Sequence, residues 1–296
     1  MQCRLGFLGN RFSEFSQEMN KQDFPGESWK NFEAKVYEQD DCDFLVADLA
    51  SLPPNFKKKL ISDNSKVIVF LDDAQYSNDE VNQHCSNINP YFVIHSNLKQ
   101  FWWHLRLNLS RIYKIDSTSE SVMHKLDSKT ITNQTKSSEF ILHLSQKLKE
   151  QFTNMGAELK DHINTSAYEI FDNIFAHNQQ AIDEVDANKV IGDYAIFSDE
   201  GNLLIQISDF FGSLSKKDID RVLFKKAELK VNRKTRGAGI GLHLVWNQTS
   251  NFLISLKDGR ETRIQLYFYT KSASFKDKNS FGKSFGYFEN KRYFDS

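Results

Sequence analysis

The sequence predicts an α/β protein built from two consecutive units. In the first half, short apolar strands alternate with helical or loop segments, a rhythm typical of a parallel sheet covered by helices. In the second half, amphipathic segments precede strands joined by tight turns, which predicts helices packed on a mixed, largely antiparallel sheet. The 296 residues, 40% of them hydrophobic and 26% charged, are enough for two cores.

Composition and charge exclude several classes of protein. The formal net charge of -1 gives no global reason to bind nucleic acid or an acidic membrane. No apolar run reaches the roughly 18 to 20 residues of a spanning helix, and the first ten residues, MQCRLGFLGN, lack a secretory pattern. Cys3, Cys42 and Cys85 lie far apart, without zinc-ligand spacing, and are interpreted as buried thiols. We therefore expect a cytoplasmic protein without a membrane or nucleic-acid partner.

The first unit is assigned to residues 1–115. An amphipathic helix is predicted over residues 98–115, and the polar residues 116–138, rich in Ser, Thr, Lys and Asn, are interpreted as a linker. The predicted strands are Cys3–Leu8, Phe44–Asp48, Val67–Leu71 and Tyr91–His95.

The rhythm and length of this unit resemble the receiver domain of response regulators. The resemblance implies a flavodoxin-like fold with Asp48 ending the third strand, where the phosphoacceptor would lie. Gly9 and Asn10 replace the acidic pair that holds Mg²⁺ in that family, and His95-Ser96-Asn97 replace its lysine. Because a phosphoryl group at Asp48 would meet uncompensated negative charge, we interpret the unit as a pseudo-receiver used for contacts. The alternative for Asp48 is a strand-end carboxylate that caps the next turn.

The second unit begins with amphipathic helices. Apolar side chains over residues 139–163 form one stripe. The helix that follows carries Glu169, Asn173 and His177 at i, i+4 and i+8, within about 80° of one another on one face. One face therefore points at one ligand; a solvated polar face is the alternative.

Three glycines at alternate positions predict a phosphate cradle in the segment from Arg236 to Leu242. Gly237, Gly239 and Gly241 allow the backbone to approach an anion closely, and the helix that begins there adds a positive dipole end. The spacing GxGxG differs from the GxGxxG of dinucleotide folds, and no GK[ST] follows as in a P-loop.

Four segments in this order resemble the Bergerat-type ATP-binding domain of gyrase, Hsp90, histidine kinases, MutL and anti-sigma serine kinases. They are the Glu169–Asn173 helix, the segment from Ile207 to Gly212, the glycine cradle, and Gly259–Thr262. The resemblance covers about residues 139–270, and the segment SDFFGSL is similar to the corresponding sequence of the stand-alone anti-sigma-type domains. It implies ATP and Mg²⁺ as cofactors.

The resemblance also implies a role for each candidate residue. Asn173 completes the Mg²⁺ shell, Glu169 polarises the attacking hydroxyl or water, and Asp209 accepts the adenine amino proton. Phe211 stands where the family has a glycine, so we expect a different turn and altered adenine affinity. The remaining candidate contacts are His177, Lys234 and Arg236 at the phosphates, Thr262 at adenine, and the backbone at Gly212, Gly237, Gly239, Gly241 and Leu242.

Together these features predict a cytoplasmic signalling regulator that binds ATP-Mg²⁺ and controls a protein partner, a regulator or a protein of the sigma or anti-anti-sigma type. The enzymatic reading is an anti-sigma-type serine or threonine kinase. One alternative is a non-catalytic interaction module with vestigial or switch-like nucleotide binding. Another is an atypical histidine kinase, with His124 or an exposed His143 as acceptor.

Two further features concern contacts. The apolar stripes over residues 98–112 and 141–163 are candidate homodimer surfaces, with intramolecular core as the alternative. The tail, residues 271–296, mixes aromatic and basic side chains and is interpreted as a flexible or strand-adding extension.

Overall fold

The computed structural model divides into two compact units, residues 1–122 with 281–286 and residues 123–280 with 287–296. The residues that it describes are 3–8, 11, 13–15, 17, 32–34, 44–50, 67–72, 75, 92–98, 100–101, 104–105, 123–199, 201–215, 219, 240–257, 259–270 and 282–289. Within these ranges the strands are β1 (Cys3–Leu8), β2 (Phe32–Ala34), β3 (Phe44–Asp48), β4 (Val67–Asp72), β5 (Phe92–Ser96), β6 (His124–Thr132), β7 (Val190–Asp199), β8 (Asn202–Asp209), β9 (Asn251–Lys257), β10 (Glu261–Tyr269) and β11 (Lys283–Glu289), and the helices are α1 (Ser137–Gln151), α2 (Ala157–Asp183) and α3 (Ile240–Gln248).

The first unit contains a parallel sheet, as the rhythm of its strands predicts. Its first five strands pair in the order β2-β1-β3-β4-β5, and each of these pairings is parallel. Every residue of β3 and β4 is buried, which explains why both strands are continuous apolar runs in the sequence. The three residues of β2 were not predicted, because so short a run carries no periodicity.

The tail adds a strand to this sheet. Residues 283–286 of β11 pair antiparallel with β5, with Ser284 opposite Ile94 and Phe285 opposite Val93. A buried hydrogen bond of 2.8 Å joins His104 Nδ1 to Ser284 Oγ. For this segment, the strand-adding interpretation of the tail is confirmed.

The second unit contains an antiparallel sheet in the order β9-β10-β8-β7-β6. The two predicted hairpins are present as β7-β8 and β9-β10. The predicted linker, residues 116–138, is wrong in part because β6 lies within it. Among the described residues β6 pairs only with β7, and Ile131 is its one buried side chain, so an edge strand of this kind has the polar composition of a linker.

The apolar stripe over residues 139–163 belongs to two helices and not to one. Helix α1 ends where Phe152 leaves the helical conformation, and α2 begins after Gly156, whose backbone is extended. Glycine is a poor helix former, and this break turns the second half of the stripe in a new direction.

Most of the stripe residues are buried inside the chain. Leu144, Leu148, Leu159 and Ile163 are at most 4% exposed. In the other stripe, Phe101 and Leu105 are buried as well. For these residues the prediction of a homodimer surface is wrong, and the alternative, that they belong to the intramolecular core, is confirmed.

Helix α2 is the element around which the second unit is packed. It contacts α1, α3, β8 and β10. Ser166 Oγ donates a buried hydrogen bond of 2.8 Å to Gln248 Oε1 and so ties α2 to α3. On the α1 side, the rings of Phe140 and Phe171 stack with centroids 4.6 Å apart. In the described part of the chain, no helix is both long and apolar enough to cross a bilayer.

Candidate functional site

A pocket in the second unit lies between α2, the start of α3, and the ends of β8 and β10. Its empty space, including the part open to solvent, is about 380 Å³. Most of its wall is apolar, with a few polar groups from separate elements. Its lining residues are Ile170, Asn173, Ile174, His177, Asn178, Asp209, Ser213, Leu214, Leu242, Thr262 and Ile264. Five predicted site residues therefore meet here, namely Asn173, His177, Asp209, Leu242 and Thr262.

Asp209 and Thr262 form the polar end of the pocket. They are directly opposite each other in the antiparallel pairing of β8 with β10. Asp209 is 7% exposed and Thr262 is 2% exposed. Two side chains with hydrogen-bonding capacity are thus presented side by side in an otherwise apolar wall.

The turn after β8 is organised by Asp209 itself. Asp209 Oδ1 accepts hydrogen bonds from the backbone N–H groups of Phe211 and Gly212, each at 3.0 Å. Gly212 has φ +60°, and a Cβ there would collide with the backbone of Lys257 and Arg260. The glycine that this turn requires is therefore at position 212, and Phe211 does not prevent the Asp209 carboxylate from being held in place.

The polar atoms at this end of the pocket are incompletely satisfied. Burial raises the pKa of Asp209, while the N–H groups of Phe211 and Gly212 and the nearby Thr262 hydroxyl lower it in part. The Thr262 hydroxyl oxygen is buried and does not reach hydrogen-bond geometry with any described residue. A ligand with a hydrogen-bonding group beside Thr262 would complete this hydroxyl.

The opposite end of the pocket is formed by one face of α2. Asn173 is half-buried, and its carboxamide makes no hydrogen bond to the residues that the structure describes, whereas His177 is exposed at the rim. Glu169 lies one turn before Asn173 and does not line the pocket. Its carboxylate instead packs against Gly241 in the first turn of α3, where a Cβ would overlap Glu169 Oε2.

Glu169 is an acid in a partly desolvated position. Burial, and secondarily the charge of Asp172, raise its pKa. A carboxyl group with a raised pKa is a better proton acceptor than one in water when it is ionised. Its contact with Gly241 places it beside the start of α3, where the glycine cradle joins the helix.

Several predicted contacts cannot be placed. Lys234, Arg236, Gly237 and Gly239 lie outside the described residues. Gly212 is described but does not line the pocket, and its part is to shape the turn that holds Asp209.

Sequence reasoning missed Asn178 and the apolar lining. Asn178 is buried and Nδ2 donates to the Ile174 carbonyl at 2.8 Å, so it serves the helix backbone. Ile170 and Ile174 are spaced by four residues on the face of Asn173 and could have been recognised by that spacing.

His143 is not an exposed side chain. Its Nε2 is 2.9 Å from Asp127 Oδ2, and its Nδ1 is 2.8 Å from the Tyr194 hydroxyl. The hydrogen bond from His143 lowers the pKa of Asp127, so this carboxylate accepts from Nε2. Both nitrogens are engaged, which corrects the expectation of an exposed acceptor. His124 is exposed, but it begins strand β6 and does not lie on a helix.

Similarity to known proteins is found among solved structures. No protein-family model matches the chain, and no curated protein matches it significantly. The chain is similar to a chain in the crystal structure of the SiaB-SiaC complex from Pseudomonas aeruginosa, with 18% sequence identity and a TM-score of 0.37. The similarity covers 49% of this chain and 92% of that chain.

Proposed function

We propose that the second unit binds ATP with Mg²⁺ and that the protein is a signalling regulator whose nucleotide site controls a protein partner. The observation that carries this proposal is the convergence of Asn173, Asp209 and Thr262, from three separate elements, on one pocket. A carboxylate, a hydroxyl and a carboxamide at the two ends of an apolar cleft suit a ligand with a polar base at one end and phosphates at the other.

The polar end of the pocket fits an adenine ring. In the proposed complex the Asp209 carboxylate accepts a hydrogen bond from the exocyclic amino group, and the buried Thr262 hydroxyl hydrogen-bonds the ring directly or through a water. Guanine presents a carbonyl where adenine has its amino group, and that carbonyl would face the carboxylate. The buried Thr262 hydroxyl, which reaches no hydrogen-bond partner among the described residues, supports this assignment.

The other end of the pocket fits the phosphates and the metal. Asn173 offers an amide oxygen, which is a ligand type that Mg²⁺ accepts, and the first turn of α3 offers a positive dipole end. In the proposed complex, the cradle at Gly237 and Gly239 with Lys234 and Arg236 contacts the terminal phosphates. ATP-Mg²⁺ supplies a transferable phosphoryl group.

The reaction that these residues favour is transfer to a serine or threonine of the partner. Glu169 would then accept the proton of the attacking hydroxyl, a role that suits its raised pKa and its place beside Gly241. The engagement of both His143 nitrogens argues against His143 as the acceptor. Phe211, which takes the place of a family glycine, favours a second candidate, a switch that binds nucleotide without transferring phosphate.

We also propose that the first unit is a pseudo-receiver that supplies contacts. Its strand order, β2-β1-β3-β4-β5, is the order of flavodoxin-like sheets, which supports this interpretation.

Calorimetric titration of the full chain with ATP, with and without Mg²⁺, tests nucleotide binding. Asp209→Asn keeps an oxygen for the N–H groups of Phe211 and Gly212 but loses the charged acceptor, so we expect about 10- to 150-fold weaker binding, from about 1.5–3 kcal/mol. Asn173→Ala should abolish the gain in affinity that Mg²⁺ gives. The matched controls are Asp161→Asn and Gln180→Ala, which change exposed residues of α2. Equal affinity in all four variants, or no binding by the unmodified chain, would refute the proposal.

Labelling with γ-³²P-ATP separates the kinase from the switch. Label on a serine or threonine survives acid, whereas label on histidine does not. We expect acid-stable label on a co-purified partner, and its loss in Glu169→Gln. Binding of ATP without any transfer would favour the switch, and acid-labile label lost in His143→Gln would favour the histidine kinase.

A further inference from the structure

Two buried carboxylates of the first unit share one arginine. Arg11, which follows β1, donates from Nε to Asp48 Oδ2 at 2.8 Å and from Nη1 to Asp72 Oδ2 at 2.6 Å. Asp48 and Asp72 end β3 and β4 and are 1% and 8% exposed. The guanidinium therefore bridges the carboxyl ends of two neighbouring parallel strands.

The guanidinium is also fixed by the aromatic core beneath it. Its central carbon lies 5.9 Å from the Phe15 ring centroid and 5.5 Å from that of Phe70, within the range of cation–π contacts. Burial alone would lower the pKa of Arg11, but the hydrogen bonds to Asp72 and Asp48 outweigh it, so the pKa is raised. Arg11 is thus a permanent cation whose guanidinium group is held by two ion pairs and by cation–π contacts.

A divalent metal does not fit beside this arginine. Mg²⁺ would take carboxylate oxygens at the ends of β3 and β4 and keep several waters in near-octahedral geometry. Oδ2 of Asp48 and Oδ2 of Asp72 already accept from Arg11, and Asp48 Oδ1 accepts from the Ala50 N–H at 3.3 Å. The last of these hydrogen bonds is the one expected if Asp48 is a strand-end carboxylate that caps the next turn.

We propose that Arg11 is a built-in cation that takes the place of a divalent metal at Asp48 and Asp72, so that this edge of the sheet takes neither Mg²⁺ nor a phosphoryl group. The idea goes beyond the nucleotide site of the second unit and does not depend on it. A metal ion leaves and returns with its concentration, whereas Arg11 is covalently part of the chain. The first unit should therefore hold one state regardless of Mg²⁺ and of small phosphodonors.

The test is Mg²⁺ titration of the full chain without nucleotide, followed by calorimetry. Any Mg²⁺ binding by the unmodified chain should be unchanged in the Asp48→Asn variant. Arg11→Ala should bind Mg²⁺ at least about tenfold more tightly, because two charge-assisted hydrogen bonds no longer compete for the carboxylates. That gain should vanish in the double variant Arg11→Ala/Asp48→Asn, whereas Arg260→Ala, at an exposed arginine, should behave like the unmodified chain.

Two measurements on the unmodified chain keep the proposal testable even if Arg11→Ala fails to fold. The first is Mg²⁺ binding that depends on Asp48, and the second is labelling by ³²P-acetyl phosphate with Mg²⁺ present. We expect neither, and either one would overturn the proposal. A folded Arg11→Ala variant that gains no affinity for Mg²⁺ would overturn it as well.

Discussion

Replacing Gly241 by alanine should separate the stability of α3 from the chemistry of the nucleotide site. The three heavy atoms nearest to an added Cβ all belong to Glu169, and the closest is Oε2 at the end of that side chain. A carboxylate can turn away by rotation about its own bonds, so the backbone of α2 and α3 does not have to move. The methyl group would therefore displace Glu169 and leave the packing of the two helices intact.

The substitution should leave stability unchanged or raise it, but it should lower phosphate transfer. Alanine in place of glycine in a helix stabilises by about 0.5–1 kcal/mol, and moving Glu169 toward water relieves the burial that raises its pKa. An off-rotamer Glu169 would cost of order 0.5–1.5 kcal/mol if no clean alternative existed. We expect the free energy of unfolding to be unchanged or raised by up to about 1 kcal/mol, a shift in Tm of about 2–4 °C. Phosphate transfer should fall by about 10²- to 10⁴-fold, the usual contribution of a general base.

Thermal unfolding without nucleotide and transfer of label from ATP measure the two effects separately. Glu169→Gln is the matched control, because it leaves Gly241 unchanged and should lose transfer to the same extent. A Tm that falls by several degrees would show that the Glu169 carboxylate cannot move. Transfer at the level of the unmodified chain would show that Glu169 is not the proton acceptor.

Two further predictions concern buried ionisable groups. Burial lowers the pKa of Lys283 from 10.5 to about 8, so the unfolded chain binds more protons between these values and stability should rise with pH across this window, toward a limit of about 3 kcal/mol. The free energy of unfolding in urea should be higher at pH 9.5 than at pH 7.5, and Lys283→Met should abolish this difference. The same pH dependence in the variant and in the unmodified chain would contradict the prediction. Burial, and secondarily the charge of Asp127, raise the pKa of Tyr194 to about 12, so stability should fall as pH rises above 10. Tyr194→Phe should remove one late step from the absorbance titration and cost about 1–3 kcal/mol by leaving His143 Nδ1 unpaired, and an unchanged titration would contradict the assignment.

The parts of the fold that sequence predicts well are those with strong local signals. The hairpins β7-β8 and β9-β10 combine apolar strands with glycine turns, and both are present, in agreement with the predicted strands joined by tight turns. The placement of Thr262 opposite Asp209, in contrast, comes from the pairing of β10 with β8, two strands that no short turn joins. Helical spacing likewise brought Asn173 and His177 to one pocket.

The parts that sequence did not predict depend on contacts between distant segments. β6 is polar because it lies at an edge, and only its pairing with β7 identifies it as a strand. The apolar stripe continues on both sides of the break, so it does not indicate that α1 ends at Phe152. Arg11 is separated from Asp48 by 37 residues and from Asp72 by 61, so no motif joins them.

The different treatment of two buried carboxylates argues for the location of the ligand site. Asp48 is neutralised within the chain by Arg11, and both of its oxygens accept hydrogen bonds. Asp209 has no cation partner among the described residues, and burial is the main cause that raises its pKa. A raised pKa means that stability is lost as pH rises through it, so ionisation of Asp209 destabilises the folded chain. A buried carboxyl group without a cation partner is most simply maintained for a donor that comes from outside the chain, and among these two carboxyl groups only Asp209 lines a pocket where such a donor can bind.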